Sequence, residues 1–279
     1  MSFLTVNNFI KNIWINIKYL LYQIIHPKKY FPEYYDSDSD SDSDSNSNSN
    51  KLFSNDTLYC EGRLRTPYRG KFHLIANFTI FPYFIYKTYN SSIYNLFAFS
   101  IGITNVLIIY IAHIISSFYH IYDFSLENEI IMQKLDHIGL TWYIGSSYYP
   151  MALLLFPKNI GFLLVLSSTI IMYNNSLDIW YSNYSIYRPL LIVGLQVPFL
   201  NYIINYLTNY ELICNFTGLI SLGCAAYIMI YEVSLSWCNP KIFGSFEIYH
   251  SISIVCLMTT LLMNYSIVSR YSINNCVVE

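Results

Sequence analysis

This 279-residue sequence has little charge: Asp, Glu, Lys and Arg together make up 11% of it, against roughly 25% in ordinary soluble domains. Too few charges remain to coat a globular surface. Part of the acid also sits in one run, Asp36 to Asp44, so the rest of the chain is poorer still. A soluble enzyme is a poor fit. An excess of basic residues is missing too, since the formal net charge is −2, and nothing points to a nucleic-acid partner. The six cysteines (Cys60, Cys214, Cys224, Cys238, Cys256 and Cys276) form no CxxC pair. That argues against a secreted disulfide scaffold, and their apolar surroundings read as buried free thiols. Period-two alternation of apolar and polar residues is also lacking, which argues against a membrane barrel.

What is present is apolar: 54% of the residues, with a mean hydropathy of +0.35. The class left is a polytopic membrane protein whose partners are membrane lipids. Residues 1–30 space Val6, Phe9, Ile10, Ile13, Trp14, Ile17, Leu20, Leu21 and Ile24 at helical intervals, with Lys11 and Lys18 between them. A helix lying on the membrane surface is expected there, with an organelle-targeting peptide as the alternative, because no acid precedes Glu33. Residues 31–65 are built around an Asp/Ser/Asn repeat from Asp36 to Asn50, which has no apolar residue to bury and predicts a disordered tether.

Beyond it the pattern becomes long apolar runs between short polar loops. Seven spans are expected, at 71–88, 92–116, 136–156, 159–175, 187–207, 211–233 and 247–269. Each is close to the ~20 residues that cross a ~30 Å hydrocarbon core as a helix. The predicted fold is therefore all-α, a seven-helix bundle over residues 66–270 with a short tail at 271–279. A cytoplasmic N-terminus puts Arg63, Arg65, Arg69, Lys71, Lys134, Arg188 and Lys241 inside, and Lys87, Lys158 and Arg270 outside. The bias favours that orientation.

Ionisable groups inside spans are expensive and call for a reason. Ser116 and His120 stand four apart near the end of the second span and so share a helix face. Asp136 and His137 open the third span; Glu247 and His250 open the seventh. The second span ends on the side where the third and seventh begin, so these groups share one membrane depth whichever way the bundle is oriented. Two imidazoles with carboxylates nearby suit a first-row metal, best of all zinc, with Asp136 or Glu247 handling protons. An interhelical hydrogen-bond network is the simpler alternative. His113, seven before His120, reads as structural.

The order of motifs is familiar. Ser116-Ser-Phe-Tyr-His120, then Leu135-Asp136-His137, then Ser147-Tyr-Tyr-Pro150 resemble the hemolysin III family, which is grouped with the progestin and adipoQ receptors and more distantly with alkaline ceramidases. Thr66-Pro-Tyr-Arg-Gly-Lys-Phe-His73 is similar to the segment leading into that family's first span. Gly223-Cys-Ala-Ala-Tyr227 and Asn239-Pro-Lys-Ile-Phe-Gly-Ser-Phe-Glu-Ile-Tyr-His250 are similar to the stretch entering its last. The resemblance implies a zinc ion near the cytoplasmic face. His120 and His250 would be metal ligands, Asp136 the carboxylate holding a metal-bound water, and Ser116 the serine beside them. The family's other helix 7 histidine is Phe246 here. Three outcomes stay open: Asp136 binds the metal directly, Glu247 does, or the metal is lost. The resemblance implies either a metal-dependent hydrolase of lipid amides or esters, or a non-enzymatic pore-forming cytolysin or receptor-like protein taking a lipid or amphipathic ligand. The oligomeric state is not legible in the sequence.

Overall fold

The computed structural model describes residues 70–181, 187–231 and 245–276, without the side chains of 187–190, 229–231, 245–246 and 276. The expected surface helix, the tether and the side chain of Phe246 lie outside these residues. Among the described residues the chain is helical and contains no strand. We number the helices α1 (Lys71–Ser92), α2 (Leu96–Ile121), α3 (Leu126–Ser146), α4 (Tyr149–Leu154), α5 (Lys158–Tyr181), α6 (Tyr187–Gly194), α7 (Leu200–Tyr206), α8 (Asn209–Tyr231) and α9 (Ser245–Cys276).

Among the described residues, four segments are long and apolar enough to cross a membrane: Leu96–Ile121, Lys158–Tyr181, Asn209–Ile228 and Glu247–Asn275. The remaining expected spans differ for visible reasons. In α1, Asn77 and Tyr83, Tyr86 and Tyr89 dilute the hydropathy of a 22-residue helix. The third expected span begins at 136, but α3 begins ten residues earlier, behind Ser125 as N-cap residue and with Glu127 and Glu129 in its first turn. Acids there complement the helix dipole, and Ile130, Ile131, Met132 and Leu135 supply apolar contacts in a stretch too charged to read as a membrane span. Asp136 therefore sits well inside α3. Past Ser146, Ser147 and Tyr148 keep right-handed helical dihedrals, and Pro150, which cannot donate a backbone bond, sits in the first turn of α4. The fifth expected span is broken: α6 ends at Gly194, a 3-10 turn holding Pro198 follows at Val197–Phe199, and α7 completes it. Finally, α9 runs on to Cys276, past residue 270, where the expected bundle ends.

Helix α9 packs along α8 and also touches α1, α2 and α4, while α2 is flanked by α1 and α3. Gly102 near the start of α2 meets Thr88 near the end of α1 and Val268 near the end of α9. The N-terminal ends of α1 and α9 thus lie beside the C-terminal end of α2. Apolar packing is continuous through Phe81, Phe84, Ile109, Met151, Leu257 and Leu261.

The distribution of polarity is inverted relative to a soluble domain. Phe78 is 75% exposed and Leu96 77%, while Asn77, Asn105, Glu211 and Asn264 are buried. Asn264 Nδ2 donates to Asn105 Oδ1 at 2.9 Å, and Asn105 Nδ2 donates to the Ser146 carbonyl at 2.6 Å, tying α9, α2 and α3 together. At the start of α8, the Thr208 amide donates to Glu211 Oε2 at 2.8 Å and the Glu211 amide to Thr208 Oγ1 at 3.3 Å, a reciprocal cap. Arg270 Nη2 completes that end with a 2.7 Å ion pair to Glu211. Of the cysteines with described side chains, Cys214 and Cys256 are buried free thiols as expected; Cys224 is free but exposed, because it lies on an outward face of α8.

Candidate functional site

Two glycines set the site. Gly70, just before α1, has a left-handed φ of 68°, a conformation that costs an L-residue about 1–2 kcal/mol. A Cβ there would stand 2.7 Å from Ile121 Cγ1 and 2.9 Å from His120 Cβ. The first turn of α1 is thereby seated directly on the last turn of α2. Gly139 of α3 does the same in the middle of the bundle, where a Cβ would lie 3.3 Å from the Ala112 Cα. That close crossing brings Asp136, one turn earlier, toward the C-terminal end of α2.

The result is a cluster of imidazoles. His120 Nε2 lies 3.7 Å from Asp136 Oδ2, with the two side chains 2% and 15% exposed. Its ring centroid is 4.5 Å from that of His250. His73, on the first turn of α1, is hydrogen-bonded through Nε2 to His250 Nδ1 at 2.6 Å. The His73 ring is 6.5 Å from His120 and 5.1 Å from His113. His113 Nδ1 donates to the Ile109 carbonyl at 2.9 Å, which leaves Nε2 as the lone-pair nitrogen of a neutral ring. His73, His113, Ser116, Asp136, His137 and His250 line a cavity of about 60 Å³, enough for a few waters or a small polar group. Tyr143 and Cys256 line its wall and that of a smaller neighbouring cavity, and the Tyr143 hydroxyl donates to Cys256 Sγ at 3.2 Å.

Ser116, His120, Asp136 and His250, chosen from sequence, are thus brought together from three helices, and all but His120 line the cavity. His137 joins them at the cavity wall. Glu247 is buried but does not line the cavity. His113, read as structural from sequence, is packed against the cluster. Sequence reasoning passed over His73 as a metal donor. The signal was available, because the first span starts on the side where the second ends, so His73 shares the depth of the other groups.

Among the described residues, no three His, Cys, Asp or Glu side chains converge on one point at bonding distance. The donor types fit nonetheless: buried imidazoles and a carboxylate are zinc ligands. Tetrahedral zinc holds two nitrogens about 3.3 Å apart, so the 2.6 Å contact between His73 and His250 is a hydrogen bond that a metal would have to part. A scan against protein-family models and searches of curated proteins and of solved structures returned no match to the chain.

Proposed function

We propose that this chain is a hemolysin III-like integral membrane protein that crosses the bilayer seven times with its N-terminus in the cytoplasm. In this reading the histidine cluster near the cytoplasmic face is a zinc-dependent hydrolase centre for a lipid amide or ester. The observation that carries the reading is the convergence of four motif residues: His120 is 3.7 Å from Asp136 and packs on His250, beside a cavity lined by Ser116. Lipid-facing entry is supported by the apolar exterior, where Phe78, Leu96 and Ile220 among others are exposed.

His120 and His250 would hold zinc, with Asp136 beside them. Zinc, when bound, supplies Lewis acidity at neutral pH. Asp136 accepts a proton from the water that attacks the substrate carbonyl carbon. It returns that proton to the departing amine or alcohol as the C–N or C–O bond breaks. The Ser116 hydroxyl, facing the same cavity, donates a hydrogen bond to the carbonyl oxygen as negative charge develops on it. Burial of the cluster keeps bulk water from competing.

Full-length protein purified in detergent is expected to hold one zinc per chain and to release fatty acid from a ceramide or glycerolipid substrate. His120→Ala and Asp136→Ala are each expected to lower turnover by at least ~100-fold. Metal-free wild-type protein whose variants behave identically would overturn the hydrolase. A second reading is favoured by the direct His73–His250 hydrogen bond and by Phe246: a bundle that has lost the metal and acts as a cytolysin or receptor. It predicts dye leakage from loaded liposomes that His120→Ala and His250→Ala leave unchanged.

A further inference from the structure

We propose that His73 supplies the third imidazole of the metal centre, so that helix α1 furnishes the donor that position 246 of α9 does not. The inference rests on the zinc reading above and names a residue that reading does not contain.

Three observations carry it. First, His73 is 5% exposed and its Nε2 meets His250 Nδ1 at 2.6 Å, so these nitrogens already face one another. Second, His73 Nδ1 is buried with no hydrogen-bond partner. A buried polar atom left without a partner calls for an occupant of the adjoining space, such as an ion or a water, and His73 lines the cavity where one would sit. Third, its position is fixed by backbone: Gly70, three residues earlier, has the positive φ that seats α1 on His120.

The alternatives for a third nitrogen are weaker. His113 stands two helical turns, about 10 Å, from His120 on the same helix, with its ring packed against Phe81 and Tyr143. Position 246 is phenylalanine, which has no donor atom. Parting the His73 and His250 nitrogens by about 0.7 Å reaches the edge of a zinc tetrahedron, a motion within the reach of side-chain torsions. The set His73, His120 and His250 gives three neutral nitrogens, and Asp136 stands beside His120 for proton transfer. Three protein ligands with an open fourth position are the usual form of a catalytic zinc centre, and three imidazoles are one such set.

Zinc-edge X-ray absorption on the full-length wild type is expected to count three imidazoles. His73→Gln is expected to count two and to bind zinc more than ~100-fold more weakly, beyond the 10–100-fold loss of a merely supporting group. Adding Phe246→His to His73→Gln restores tight binding, because 246 and 250 share a helix face. Two imidazoles in the wild type, or an unchanged count in His73→Gln, overturns the role of His73 while leaving the hydrolase reading intact. A wild type that takes up no added zinc takes down both. The wild-type spectrum decides even if the variants fail to fold.

Discussion

Ser116 and Asp136 face one cavity from neighbouring helices, and their chemistry divides cleanly. A carboxylate accepts and returns protons, whereas a hydroxyl can only donate to a growing negative charge. Ser116→Ala is therefore expected to leave zinc content and KM near wild type and to lower kcat by about 100-fold, the usual loss for one such donor. Steady-state kinetics beside metal analysis checks this, and an unchanged kcat would make Ser116 a packing residue. At this scale the sequence was a good guide where a polar residue broke an apolar run. Ser116, His120, Asp136 and His250 all stood out that way, and all meet. His73 did not stand out, because it sits at a span boundary among Arg69 and Lys71, where polar residues are ordinary. His113 was passed over for the opposite reason: its partners lie on other helices, Phe81 on α1 and Tyr143 on α3, which no spacing within one helix reveals.

Helices are legible as apolar runs but not at their ends. The start of α3 is marked by Glu127 and Glu129 in its first turn, and the break between α6 and α7 by Gly194 and Pro198; a hydropathy pattern registers neither. The packing of the elements makes the two ends of the bundle differ in what they tolerate. Gly70→Ala meets both a left-handed φ and the side chains of His120 and Ile121. It is expected to destabilise by about 2 kcal/mol and to weaken metal binding with it, since the α1 seat moves. Arg270→Ala, at the opposite end, strips a buried Glu211 carboxylate of its cation and is expected to cost about 3 kcal/mol without changing metal affinity. Thermal unfolding in detergent beside a zinc titration separates the two, and equal metal loss in both would show that the ends are not independent.

The whole molecule is organised by an inversion, with Phe78 and Leu96 turned outward and Asn105, Glu211 and His250 inward. The shortage of charge in the sequence reflects that plan: among the described residues Lys71, Glu127, Glu129, Lys158, Glu211 and Glu247 stand in the first turns of their helices, while Asp136 lies beside the imidazole cluster. On α9, His250 at one end and Arg270 at the other are separated by twenty residues, about 30 Å of helix. The helix is thus a gauge of fixed length, pinned by the imidazole cluster below and by Glu211 above. Such a rod does not shorten, so a bilayer of unsuitable thickness has to be met by hydrophobic mismatch: tilt, local thinning or strain. Reconstituted in phosphatidylcholines of increasing acyl length, the protein is expected to melt highest near a 30 Å core and lower on either side. A melting temperature indifferent to chain length would contradict it. Membrane thickness then becomes a variable to which the imidazole cluster answers, because the same helix that measures the bilayer carries His250.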